Sequence, residues 1–298
     1  MGNILMTGST GFLGKHILNK NRNEVTTLGR KNCDILSDFV NDPYLTIKDS
    51  YETIIHAAGK AHSIPVTDEQ KKEFYDINVQ GTKNLLNGIE RAPSLPKAFV
   101  FISSVAVYGK ETGHLINEDT PLLAADPYGD SKVEAEKLIL NWCTKNNITC
   151  TILRLPLLAG PNPPGNLESI IKGIKAGYYF NIDGGKAKKS IVLATDVASI
   201  ITVVSKIGGI YNLTDRYHPD FSELSQSIAK QMGKSKPLNI PGWFAKILAR
   251  SGDLIGSKFP IDSKRLQKIT SDLTFDDSRA VSKFNWNPER VLDGFKII

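Results

Sequence analysis

The sequence predicts an α/β fold: a doubly wound parallel sheet followed by a smaller, mixed α/β region. Two observations carry this. Through the first half, short and nearly continuous apolar runs alternate with longer helical patterns, as expected of strands covered by helices on both faces. In addition, the glycine-rich run Thr7-Gly8-Ser9-Thr10-Gly11-Phe12-Leu13-Gly14 falls directly between the first apolar run and the first helical pattern.

The elements follow in order. Asn3-Ile4-Leu5-Met6 reads as a strand and residues 11–18 as the start of a helix. Further strands are expected at 25–28, 53–57, 98–102 and 149–153, with helical stretches over 68–90 and from Tyr128 onward. At Gly160-Pro161-Asn162-Pro163-Pro164-Gly165 regular structure breaks. Helices are expected near 167–176, 194–206 and 220–232. The apolar segment Trp243-Phe244-Ala245-Lys246-Ile247-Leu248 reads as an amphipathic helix packed on the body, since only Lys246 and Arg250 flank it for a membrane contact. The boundaries drawn are 1–160 for the sheet domain and 161–298 for the smaller region, with one strand and helix of the latter returning to the former.

At 298 residues, with 41% hydrophobic and 23% charged residues, the composition is that of an ordinary globular protein. No apolar run is long enough to cross a bilayer, and the first residues do not resemble a signal peptide. Cys33, Cys143 and Cys150 are odd in number and widely spread, which argues against a disulfide framework or a metal site and for a reducing cytoplasm. The net charge of +6 is dispersed apart from Lys186-Ala187-Lys188-Lys189, so no nucleic-acid partner is expected, and small polyanions such as nucleotides account for the excess.

The glycine run reads as a dinucleotide loop. Its glycines permit a tight turn and let the backbone approach a pyrophosphate at a helix N-terminus. At the end of the second strand, Gly29 stands where a site preferring NAD places a carboxylate, and Arg30 follows it. Arg30 could pair with a 2′-phosphate, so NADP(H) is the expected cofactor and NAD(H) the alternative. Tyr128 and Lys132 are four apart and share a helix face. A cation there would lower the phenol pKa, and Ser104 from the neighbouring strand could bond the same substrate oxygen. Such pairs are otherwise common as exposed contacts of little consequence.

These motifs, in this order, resemble the extended short-chain dehydrogenase/reductases of the NAD-dependent epimerase/dehydratase type, over nearly the whole chain. The resemblance implies a Rossmann domain and assigns Gly8, Thr10, Gly11, Phe12 and Leu13 to the cofactor loop. By the same likeness Asp34 and Ile35 contact adenine, Ala57, Ala58 and Gly59 line the strand end beside the cofactor, and Asn78 is the central-helix asparagine. Arg154 to Pro161 matches the family's R-x-x-x-x-x-G-P segment, which assigns Leu155 and Pro156 to the cofactor, and Ser104, Tyr128 and Lys132 fill the catalytic slots. It implies a nucleotide-sugar substrate, UDP-linked by analogy, and leaves a homodimer open.

Departures narrow the activity. Val105 and Ala106 stand where 4,6-dehydratases of the family carry two acidic residues, so elimination lacks its acid and base. The chain is similar to reductases of UDP-4-keto-6-deoxy-N-acetylhexosamines that serve surface polysaccharide pathways; the alternatives are a 4-epimerase and, more remotely, a catalytically silent dinucleotide-binding regulator. Asn166 and Lys189 match substrate-diphosphate positions, with an N-cap and a surface charge as the bland readings.

Overall fold

The strand β1 (Ile4–Thr7) is buried along its whole length, as a central strand must be when helices cover both faces. The computed structural model describes residues 3–61, 63–255 and 262–297. The main sheet adds β2 (Val25–Gly29), β3 (Ile35–Leu36), β4 (Thr53–His56), β5 (Ala98–Ser104), β6 (Thr149–Leu155) and β7 (Gly209–Asn212). Their order across the sheet is β3-β2-β1-β4-β5-β6-β7, all parallel, so the winding reverses between β1 and β4. Ligands of such sheets bind at the carboxyl ends of the strands beside that reversal.

Two apolar layers hold the helices. On one face α1 (Phe12–Lys20), through Leu13 and Ile17, meets Val197 and Ile201 over Met6, Val100 and Leu153. The latter pair belongs to α6 (Ala194–Val204), so a helix and a strand (β7) from beyond residue 160 complete the sheet domain. On the other face Leu85, Ile89, Ile139 and Trp142 cover Leu5, Ile54, Phe99 and Ile152.

The expected continuous helix over 68–90 is interrupted. α2 (Asp68–Tyr75) starts at a Thr67/Gln70 capping box, passes into a π-helical segment, Asp76–Gln80, and continues as α3 (Gly81–Glu90). Wider turns of this kind re-aim side chains and concentrate at functional positions; here the one re-aimed is Asn78. The helix α4 (Pro127–Lys145) opens with Asp126 accepting from the Gly129 amide at 3.0 Å and with Pro127 in its first turn.

Beyond the Pro/Gly break lie α5 (Asn166–Ala176) and α7 (Phe221–Gln231), packed through Leu167, Ile174, Leu224 and Ile228. Then come α8 (Gly242–Ile255) and α9 (Ser263–Thr270). The Trp243 segment is a helix packed on the body, as expected, but through its small residues. Its buried seam is Ala245 and Ala249, set against Ile182, Ile240 and Leu266, while Trp243, Phe244 and Ile247 are exposed. Small residues allow the close approach, and their 3–4 residue spacing turns the larger ones outward.

Candidate active site

The glycine loop is shaped by close contacts that exclude side chains. Gly8 has φ of +76°, and a Cβ there would lie 2.5 Å from the Ala57 carbonyl carbon and the Ala58 nitrogen. A Cβ on Gly14 would come within 1.9 Å of the Gly8 carbonyl oxygen. The loop therefore presses against both the β4 end and α1, and Gly11 begins α1 with no side chain capping its first amides. Open amides at the positive end of a helix fit a pyrophosphate. Thr10 and Gly11 are exposed at this turn, Phe12 packs near Gly160, and Leu13 is a core residue that can offer only its backbone.

Beside the loop, His56 bridges Thr7 (2.7 Å) and Thr82 (2.9 Å), and burial together with the Lys132 charge pushes its pKa down to about 3. It is a neutral cross-link between β1, β4 and α3. The Asp34 carboxylate accepts from the Thr27 amide (2.8 Å) and hydroxyl (2.7 Å), bonds that lower its pKa and fix the turn into β3. Ile35 opens that short strand, and Arg30 is exposed next to it. Asn78 is buried: its Oδ1 accepts from the Lys60 amide (2.7 Å) and its Nδ2 donates to the Lys60 carbonyl (3.1 Å) and to Ser131 Oγ (2.9 Å). It ties the Ala58-Gly59 chain end to α4, one residue from Lys132. Leu155 is core, and Pro156 follows it half-buried.

The catalytic candidates converge. Ser104 ends β5, where its hydroxyl caps a short 3₁₀ turn, Val105–Tyr108, by accepting from the Ala106 amide at 3.2 Å. That turn lies against the first turn of α4 because Gly129 has no side chain; a Cβ there would sit 2.8 Å from the Ala106 carbonyl. Gly129, inside the Tyr-x-x-x-Lys spacing, is thus what brings Ser104 beside Tyr128, a role that spacing alone does not reveal. Burial raises the Tyr128 pKa, and its hydrogen bond with Ser104 acts in the opposite direction.

Lys132 is nearly inaccessible, at 5% exposure; its Nζ donates to the Ile102 carbonyl at 2.7 Å and lies 4.1 Å from the centre of the Phe101 ring. Burial lowers its pKa to about 7, with Glu136 opposing. This corrects the expectation that Lys132 depresses the phenol: its amine is turned to the strand, and the Ser104 hydroxyl is the group that favours the phenolate. The amine also faces Gly59, whose missing Cβ would be 3.7 Å away.

Below this pair is a buried ion pair that motif reading missed. Glu136 accepts from Arg154 at 2.7 and 3.2 Å and from the Ser103 hydroxyl, while Arg154 also donates to Tyr108 Oη (3.1 Å). The signal was available: Tyr128, Lys132 and Glu136 recur every four residues along one face of α4.

Of the two substrate candidates, Asn166 opens a helix as expected without being its N-cap, and Lys189 is not a free surface charge. Asn166 is exposed at the first position of α5, and the cap itself is Gly165, at φ of +70°. Lys189 is half-buried, and its amine donates to the carbonyls of Lys268 (2.9 Å) and Ser271 (2.8 Å), closing the end of α9. Those bonds tie the ammonium to the end of α9. A cavity of about 280 Å³ lined by Leu115, Arg216, His218 and Asp277 lies in the C-terminal region, without any of the catalytic candidates in its wall. Among the described residues, no cluster of three metal-ligating side chains occurs.

The model of the NAD dependent epimerase/dehydratase family matches residues 4–213. A relative from Escherichia coli O157:H7, N-acetyl-alpha-D-glucosaminyl-diphospho-ditrans,octacis-undecaprenol 4-epimerase, is 26% identical over 94% of this chain and 89% of its own. Among solved structures, MoeE5 in complex with UDP-glucose and NAD superposes with a TM-score of 0.73 at 18% identity, covering 97% of this chain and 94% of that one. RMD from Pseudomonas aeruginosa complexed with NADPH gives 0.70 at 20% identity, covering 96% and 94%. These structures share the fold; the family match spans the sheet domain and every catalytic candidate. The chain belongs to the NAD dependent epimerase/dehydratase family.

Proposed function

We propose that this protein carries out nicotinamide-dependent oxidoreduction at C4 of a diphosphate-linked sugar, with 4-keto reduction of a UDP-4-keto-6-deoxy-hexosamine for surface polysaccharide synthesis as the specific reaction. The observation that carries it is the convergence of Ser104 and Tyr128 over the buried amine of Lys132, beside a loop built to approach a pyrophosphate. The residues fit a bound nicotinamide dinucleotide, which when present supplies or accepts hydride at the sugar carbon. Gly8, Gly11 and the first amides of α1 would hold its diphosphate, and Lys132 and the Gly59 strand end would flank its ribose.

Tyr128 then gives its proton to the oxygen developing on C4. Ser104 bonds that same oxygen and supports the phenolate left behind. Tyr128 sits in the first turn of α4, where the helix dipole also favours the anion. Val105 and Ala106 supply no second acid or base, which supports simple carbonyl reduction over dehydration. The exposed Arg30 after Gly29 supports NADPH, through charge pairing with a 2′-phosphate.

The second reading is a 4-epimerase, favoured by the name of the E. coli O157:H7 relative. Loss of absorbance at 340 nm tests the choice: NADPH consumed in proportion to a UDP-4-keto-6-deoxy-N-acetylhexosamine supports reduction. Interconversion of C4 epimers by NMR, with no net consumption and NAD retained by the purified protein, replaces it with epimerisation. Exchanging Arg30→Glu should move the preference from NADPH towards NADH by about tenfold or more, the scale of one charge-assisted contact.

A further inference from the structure

The helix α8 is inverted relative to a surface helix. Its inner seam is alanine, whereas its outward pole carries Trp243 (66% exposed) and Ile247 (54%), one turn apart, with Phe244 alongside. The Trp243 and Phe244 rings meet edge-on, 5.7 Å between centres. The patch continues onto Leu238, 71% exposed, whose carbonyl accepts from the Asn181 amide at 2.8 Å, so the exposed Phe180 flanks the same rung. Scattered apolar residues are ordinary on surfaces, but five on one supersecondary unit are an adhesive face.

The charge around it is one-sided. Residues 224–252 contain Lys230, Lys234, Lys236, Lys246 and Arg250 and no Asp or Glu, in a chain whose whole excess is +6. Lys246 and Arg250 sit on α8 beside the apolar pole and are exposed, as are Lys234 and Lys236 just before Leu238. Two carboxylates lie at the ends of the helix: Asp183 at its N-terminal Gly242, and Asp253 in its last turn, which accepts from the Ser263 amide (2.9 Å) and hydroxyl (2.6 Å). A second copy of the chain is a poor match, because a two-fold contact centred on Trp243 and Ile247 would set Lys246 and Arg250 against the same cations.

We infer that α8 and the Leu238 and Phe180 rung form an interfacial contact with an anionic phospholipid surface, with α8 lying in the headgroup plane. Tryptophan, phenylalanine and isoleucine flanked by Lys and Arg suit that boundary, where the rings enter the acyl region and the cations meet phosphate. At 14 residues α8 is about 21 Å long at 1.5 Å per residue, too short to cross. Ala245 and Ala249 pack on Leu266 of α9, whose last carbonyls receive Lys189, the residue that the family resemblance assigns to the substrate diphosphate. Resting on the C4 reading above, this position would present the site to sugar diphosphates carried on a membrane lipid. The lipid contact itself rests on the patch alone.

Flotation of the full chain with phosphatidylcholine vesicles, with and without 30% phosphatidylglycerol, is the test. Trp142 and Trp286 are buried, so a blue shift of tryptophan emission on adding vesicles reports Trp243. Wild type should float with the anionic vesicles and lose that binding in high salt. The pair Trp243→Ser and Ile247→Ser should lower partitioning by more than about tenfold at unchanged Tm; Lys246→Glu with Arg250→Glu should remove the anionic preference, and Tyr44→Ser, an exposed apolar position elsewhere, should change neither. Failure of wild type to float, or flotation of the Trp243/Ile247 variant like wild type, overturns the proposal. So does a dimer in sedimentation that the same variant dissociates. Turnover of a soluble nucleotide sugar should be equal in all these proteins; absent turnover with flotation intact refutes the C4 reading alone.

Discussion

Replacing Lys132 by Met tests how deeply the amine is set into the sheet. Burial brings its pKa from 10.5 to about 7, so the ammonium is disfavoured in the fold by about 5 kcal/mol at ~1.4 kcal/mol per pH unit. Between pH 7 and 10.5 the unfolded chain holds this proton and the folded chain does not. Unfolding free energy therefore rises with pH across that window, and the cost of the buried charge is fully present below it. From pH 7 to pH 9 this one group contributes a rise of about 2–3 kcal/mol. Lys132→Met keeps the aliphatic stem and removes the proton. Urea unfolding of the cofactor-free chain at pH 6, 7, 8 and 9 gives the two slopes, and their difference removes every other titrating group. The variant should lack the rise. A variant whose stability climbs with pH in parallel with wild type would show that the amine is solvated, and the argument for its burial against β5 would fall.

Tyr128→Phe should cut turnover by about 10²–10⁴-fold with cofactor affinity unchanged, since only the proton donor is lost; fluorescence titration of NADPH alongside the 340 nm rate separates the two effects. Gly8→Ala places a methyl 2.5 Å from the Ala57 backbone at a left-handed φ. It should weaken NADPH binding by about tenfold or more and lower Tm, because the loop can retreat only by leaving the pyrophosphate position. Glu136→Ala strands the buried Arg154 guanidinium and should cost about 3–5 kcal/mol in urea unfolding; a loss under about 1 kcal/mol would mean that water reaches the pair.

The central strand segments and the cofactor loop were legible because they are written locally. An apolar run of four or five residues in a parallel sheet has few other readings, and the Gly8-Gly11-Gly14 spacing states its own geometry. The Ser104–Tyr128 partnership was legible only as two motifs; what joins them is Gly129, whose effect depends on Ala106, 23 residues earlier. The Lys132 error has a plain cause. Spacing of four gives a shared face but not depth, and at depth the Ile102 carbonyl competes successfully for the amine. The setting of Lys189 was hidden in the same way, since the carbonyls of Lys268 and Ser271 that bond its amine lie far along the sequence. The outward set of Trp243 and Ile247 was hidden by a sound rule, that bulky apolar side chains go inward; the rule yields when alanines permit a closer seam.

The place of β7 beside β6 has a consequence for synthesis. β6 is seven residues long and buried, and until Asn212 has left the ribosome its outer edge has no partner. α1 likewise waits for Val197 and Ile201 to cover its apolar stripe. A nascent chain halted near residue 160 would thus carry the whole catalytic triad and yet present an open strand to its neighbours, the template on which newly made chains pair wrongly. Vectorial folding of this molecule is consequently held back to a late step, and a chaperone would find its hold on the interval between β6 and β7.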